Sequence, residues 1–212
     1  MTLGFWKGFG FGLGAPQRDW ISIVGDQVAI ERDTGANCVW RFADGDAVGV
    51  YFFNVEPDLP KSHSLASFLS QIQDVAAASH ATLLECDIVR IGQLPAVRQI
   101  VKVPQIPSGM TYLGTFTIPF AKFSYVLKVQ CEEHGITGIR EAVLLDRKLK
   151  NKPAGVDARE IAAGLDADSE EHDVEFPDHP LSRLRRHLRY IAISCRLHPD
   201  LLKHTGFQLP SA

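Results

Sequence analysis

MTYLGTFTIPFAKFSYVLKVQC, residues 110–131, carries the alternation that sets the architecture. Phe123, Tyr125, Leu127, Val129 and Cys131 recur at every second position, with Lys122, Ser124, Lys128 and Gln130 between them. A period of two with one apolar side and one polar side marks a strand whose two faces meet different surroundings, as in antiparallel sheets. Pro119-Phe120-Ala121 separates this strand from another at 110–118, so the quoted stretch reads as a hairpin.

The same punctuation recurs on the N-terminal side. Gly92-Gln93 separates apolar runs at 83–91 and 94–103, Asp44-Gly45 separates 38–42 from 47–53, and Gly25-Asp26 separates 21–24 from 27–31. Glycine supplies the positive φ of a tight turn, so each pair reads as a hairpin. Between these strands, Leu65, Phe68, Leu69, Ile72, Val75 and Ala76 fall at helical spacing within 62–80, after Pro60 and with Ser62 or Ser64 as N-cap. A second helix is expected at 138–150, where Ile139, Ala142, Val143 and Leu149 share a stripe. The predicted fold class is α+β: a twisted antiparallel sheet of seven or eight strands, covered by these helices, with a C-terminal helical arm. Composition shifts at Lys150-Asn-Lys-Pro-Ala-Gly155, giving three expected units: a glycine-aromatic arm at 1–18, a sandwich domain at 19–150, and an acidic linker with a basic helix at 151–212.

The 212 residues are 45% hydrophobic and 22% charged, the composition of an ordinary globular protein. A net charge of −3 lacks the basic excess of a dedicated nucleic-acid binder. Cys38, Cys86, Cys131 and Cys195 are widely separated and mostly within apolar runs, so they read as reduced core thiols. The start, MTLGFWKGFGFGLGAPQ, is apolar, but its glycines interrupt any continuous helix and Lys7 sits inside it; the protein reads as cytoplasmic. Gly10-x-Gly12-x-x-Ala15 fits a loose dinucleotide pattern without the strand before it or the helix after it, so no cofactor is expected.

The segment 176–199 places Leu181, Leu184, Leu188, Ile191 and Cys195 on one helical stripe, with Arg183, Arg186, Arg189 and Arg196 pointing elsewhere. Burying that stripe outweighs what exposed charges contribute in physiological salt. The helix should therefore dock, on its own sheet or on a partner, while Asp166, Asp168, Glu170, Glu171, Asp173 and Glu175 compete for the arginines. His172, Asp173, Asp178, His179, His187, His198 and His204 lack i, i+4 ligand spacing, and Cys131-x-x-His134 has no second half; no metal is expected. Ser62-His63-Ser64 reads as a helix start, and Glu132-Glu133-His134 as a polar turn with acid-base potential.

The runs IVRIGQLPAVRQIVKVP and YLGTFTIPFAKFSYVLKVQCEE, with the closing helix near Ile139, resemble in order and turn placement the PsbP/DcrB-like superfamily of small α/β sandwiches. Counting the helix at 62–80, the resemblance covers residues 62–146. It implies non-enzymatic work, as lipoproteins, photosystem accessory subunits, adaptors or chaperones of secreted bacterial effectors, and carries no catalytic residues over. The expected function is thus protein–protein interaction, as an adaptor, chaperone or immunity-type partner of a secreted bacterial protein. Phe5, Trp6, Phe9 and Phe11 of the arm and Arg183, Arg186, Arg189 and Arg196 of the helix are the expected partner-binding residues. A homodimer stays open. The rival readings are a hydrolase or transferase, needing Glu132, Glu133 and His134 to converge with His63 or His172, and an anionic-lipid or nucleic-acid binder using the basic helix.

Overall fold

The computed structural model describes residues 16–34, 37–151 and 156–210. Phe5, Trp6, Phe9 and Phe11 lie outside them. The elements are β1 (Ile21–Ile23), β2 (Val28–Thr34), β3 (Asn37–Phe42), β4 (Ala47–Phe53), α1 (Leu65–Ala78), β5 (Thr82–Ile91), β6 (Leu94–Pro104), β7 (Met110–Pro119) and β8 (Ser124–Glu132). They continue with α2 (Ile139–Lys150), α3 (Ala158–Ala163), α4 (Pro180–Ser194) and β9 (Cys195–Leu197). The main sheet has seven strands in the order β2-β3-β4-β8-β7-β6-β5, every neighbouring pair antiparallel. The fold is the α+β class that the alternation predicts.

Three of the expected hairpins form. β3–β4 turns at Asp44-Gly45 and β5–β6 at Gly92-Gln93, with φ of 92° at Gly45 and 57° at Gly92, values that favour glycine. The β7–β8 hairpin closes through Pro119-Phe120-Ala121, Ile118 pairing with Tyr125. The fourth does not form. β1 pairs instead with β9, Ile21 opposite Leu197, in a separate two-stranded sheet. Ile21 and Ile23 are buried in the main core, whereas β2 is exposed along most of its length and pairs with β3. Gly25 lets the chain diverge: at its φ of 141° the backbone passes so close to Tyr190 of α4 that a Cβ would meet the phenol. A long-range contact overrides the local hairpin signal here.

The apolar stripe of α4 lies on the sheet of its own chain. Leu181, Leu184, Leu188 and Ile191 are each at most 1% exposed, in one core with Tyr112, Phe116, Ile118, Leu127 and Val129. Gly114 of β7 admits the helix: a Cβ there would stand 2.8 Å from Leu188 Cδ1 and 3.0 Å from Leu184 Cδ1. At about 1.5–3 kcal/mol per large side chain, the stripe contributes on the order of 10 kcal/mol before entropic costs. α1, capped by the Ser64 hydroxyl accepting from the Ser67 N–H, covers part of the opposite face. Its Phe68 and Ile72 pack on Val97, Leu83 and Cys86 of β5 and β6. The other expected helix, α2, packs mainly with α3 rather than across the sheet.

Candidate interaction face

The α4 arginines are engaged within the chain. Arg183 holds Asp46 at 2.9 Å and Arg189 holds Glu170 at 2.7 Å. Arg186 is 3.4 Å from Asp44, and Arg196 donates to the carbonyls of Ile193 and Cys195. Arg185, which helical periodicity does not single out, is the most buried of the α4 arginines: it reaches Glu85 of β5 at 2.6 Å and Asp173 at 2.9 Å. Asp173 also receives Arg140 of α2, whose guanidinium is fully buried and donates in addition to the Ser169 carbonyl and the Ser182 hydroxyl. One carboxylate from the acidic segment thus joins two buried cations from two helices. The acids at 166–175 therefore serve as an internal clamp.

A second knot sits beneath the β3–β4 turn. Asp46 Oδ2 accepts from Arg183 Nε at 2.9 Å, stands 3.0 Å from His187 Nε2, and receives the Cys131 thiol at 3.2 Å. Burial alone would raise the Asp46 carboxyl, but the hydrogen bonds from His187, Arg183 and Cys131 outweigh it and hold it far below the usual carboxylate range. His187 stacks on Phe42 with ring centroids 3.8 Å apart. Asp46, Cys131 and His187 have the spacing of a metal site. The Arg183 guanidinium on the same oxygen repels a cation, and burial pushes the Cys131 thiol well above its ordinary value, so the geometry suits a structural lock.

Glu133 meets Glu141 and His179, with ligand atoms all within 4.8 Å. The histidine argues against a metal there. Its Nδ1 accepts the Leu181 N–H at 3.3 Å as the cap of α4, which puts the ring proton on Nε2, the nitrogen a metal would need bare. Both Glu133 oxygens already accept backbone N–H groups, from Met110 and Gly138. His63 lines a different hollow with Glu56, Lys61 and Ser62, and His172 contacts Glu171. Glu132, Glu133 and His134 line one hollow with His179, but neither His63 nor His172 joins them, so the expected convergence does not form.

The sheet face opposite α4 offers a different feature. α1 shields only the β5–β6 side. Residues directly paired across antiparallel strands share a face, so the pairs Tyr51–Val126, Gly49–Lys128, Thr117–Val126 and Thr115–Lys128 place these side chains together on the side away from α4. Two hollows lie end to end here along β4 and β8. One, of about 410 Å³, is apolar and runs between α1 and the sheet, lined by Phe53, Val55, Ile72, Val75, Val101 and Val126. The other, of about 430 Å³, is polar and lined by Arg32, Arg41, Tyr51, Lys128, Gln130 and His134. Set along the seven residues of β4, a span of about 20 Å, the two hollows define the trough of this face. Phe53 is 46% exposed, and Val55 and Val75 63% each.

The polar end is built on Gly49. The Tyr51 ring lies where a Cβ of Gly49 would be, 2.7 Å from its Cε2, so glycine lets the aromatic lie flat along the strand as the floor. Arg41 is paired with Glu31 at 2.8 Å. Arg32 and Lys128 have no carboxylate at ion-pair distance among the described residues. Sequence reasoning missed this face. The alternation at 47–53 and 122–131 marks both sides of the strands without saying which one a helix covers.

No protein-family model matches the chain, and no curated protein sequence is significantly similar to it. Among solved structures, the Saccharomyces cerevisiae Ran-binding protein Mog1p aligns over 86% of this chain and 93% of its own, at 12% identity and a TM-score of 0.43. A Bacteroides thetaiotaomicron protein aligns over 57% of this chain at 10% identity and a TM-score of 0.34, the chain spanning only 41% of that protein's length. These likenesses concern the arrangement of the backbone alone.

Proposed function

We propose that this chain is a non-enzymatic protein-interaction module, of adaptor or chaperone type in a bacterial cytoplasm, and that it docks its partner in the trough opposite α4. The observation that carries this reading is the exposure of Phe53, Val55 and Val75 around one groove. Singly exposed apolar residues are ordinary, whereas several rimming one concavity mark a contact surface. The resemblance to the PsbP/DcrB-like superfamily supports the same class of role, and membership in it is part of the proposal. The arginines of α4 are less suited to a partner, because each makes contacts within the chain.

A photo-reactive amino acid at Thr117, on the trough floor, tests the reading in the native host. It should give a discrete adduct that Phe53→Asp abolishes, whereas the same probe at Ile193, exposed on the other side of the molecule, should not. Identical adduct patterns from the two positions, or an adduct indifferent to Phe53→Asp, would count against docking in the trough.

A further inference from the structure

The two ends of the trough differ in chemistry. We infer that its occupant is an extended partner segment that combines an apolar side chain with carboxylates about 10–20 Å away, the distance from the middle to the far end of a seven-residue strand. The inference rests on the docking reading above and adds the identity of what is docked. At the apolar end, the groove between α1 and β4 has Ile72, Val101 and Val126 in its walls and Phe53 and Val75 at its mouth; its charged lining residues are Glu56, paired with Lys61, and Asp58, which keep carboxylates of the occupant away from this end. That end takes a leucine- or phenylalanine-sized group.

At the other end, Lys128 stands on the sheet between Thr115 and Gly49, half-buried and without a carboxylate partner among the described residues. Arg32 lines the same hollow, also without one, and Arg41 adds a guanidinium whose charge is shared with Glu31; of the carboxylates in the lining, Asp46 is neutralised by Arg183 and Glu132 accepts from Gln130. Lys128 is partly desolvated over the strand, so its attraction for an anion is less screened than on open surface, and the exposed Arg32 and Arg41 add to it. The flat Tyr51 ring separates the two ends and offers an aromatic face to a backbone crossing it. A trough of about 20 Å admits about six extended residues at 3.3–3.6 Å each. A short acidic-apolar segment therefore fits it in length, in the position of its apolar anchor and in charge.

Selection of phage-displayed random twelve-residue peptides on the full chain tests this, followed by affinity measurement of the enriched peptides by fluorescence anisotropy. Enriched peptides should join an aromatic or large aliphatic residue to several Asp or Glu. Their affinity should fall about tenfold with Lys128→Glu and further with Arg32→Glu added, and weaken with rising salt. Lys128→Met, which keeps the aliphatic stem, should give a smaller loss. Unchanged thermal melts of these variants would establish that the fold is intact. Peptides without acidic excess, or indifferent to Lys128→Glu yet lost with Phe53→Asp, would overturn the acidic preference and leave docking in the trough standing. Peptides indifferent to both substitutions, or no enrichment at all, would overturn both.

Discussion

Gly114 carries no side chain because the Leu184 and Leu188 methyl groups occupy the place where one would stand. Gly114→Val must lift α4 from the sheet or force those leucines off their rotamers, at a cost of about 1–3 kcal/mol. The urea midpoint should fall accordingly with the slope unchanged, and a neutral result would mean that the helix adapts freely. His179 gives a second prediction. Burial, reinforced by the Arg140 guanidinium, lowers its pKa to about 4, against about 6.5 in an unfolded chain. Between those values the unfolded chain binds the proton that the folded chain excludes. The contribution of this site is therefore complete above pH 6.5 and is lost as pH falls through 4. His179→Asn keeps an N-cap acceptor and removes the titration. Stability measured by urea from pH 7 to 4 should decline more steeply for the wild type than for the variant, and parallel curves would contradict the assignment.

At the level of elements, the apolar stripe of α4 was legible because its large aliphatic residues repeat with the helical period. Its charges were not. Arg185 and, on α2, Arg140 look like any solvent-facing arginine, yet their side chains are 4% and 0% exposed because Asp173 arrives from a segment 12 residues from the one and 33 from the other. The hairpin expected at 21–31 failed for a related reason: β9, created by the end of α4, offers β1 a partner that no local turn announces. Tertiary carboxylates and tertiary strands decide these cases. The two buried cations share one anion, which is the only carboxylate that Arg140 meets among the described residues, and this predicts an asymmetry. Asp173→Ala leaves the Arg140 guanidinium buried without a carboxylate and Arg185 with Glu85 alone, and should cost about 3–5 kcal/mol, whereas Glu175→Ala removes only a surface pair with Arg147 and should cost less than about 1 kcal/mol. Comparable losses from the two substitutions in urea titrations would show that the Asp173 network carries no special weight.

For the whole molecule, the question is whether residues 19–150 form a domain to which the remainder is appended, as the change in composition near 150 suggests. The layers argue otherwise. The face of the sheet bearing Tyr112, Phe116, Leu127 and Val129 is closed by Leu181, Leu184, Leu188 and Ile191, all from beyond that boundary. Their burial contributes roughly 6–12 kcal/mol at about 1.5–3 each, as much as the whole net stability of about 5–15 kcal/mol of a typical native protein. Residues 16–150 expressed alone should therefore lack a cooperative thermal transition and bind a hydrophobic dye, and a synthetic peptide spanning 176–210 should restore both the transition and the near-ultraviolet circular dichroism. The opposite face sets the contrast that gives the trough its meaning. It remains partly open while the fold closes, so substitutions there, such as Phe53→Asp, should leave the melting temperature within a few degrees of the wild type. A cooperative melt from 16–150 alone would make α4 an accessory rather than a layer, and would reopen its own stripe as the surface that a partner covers.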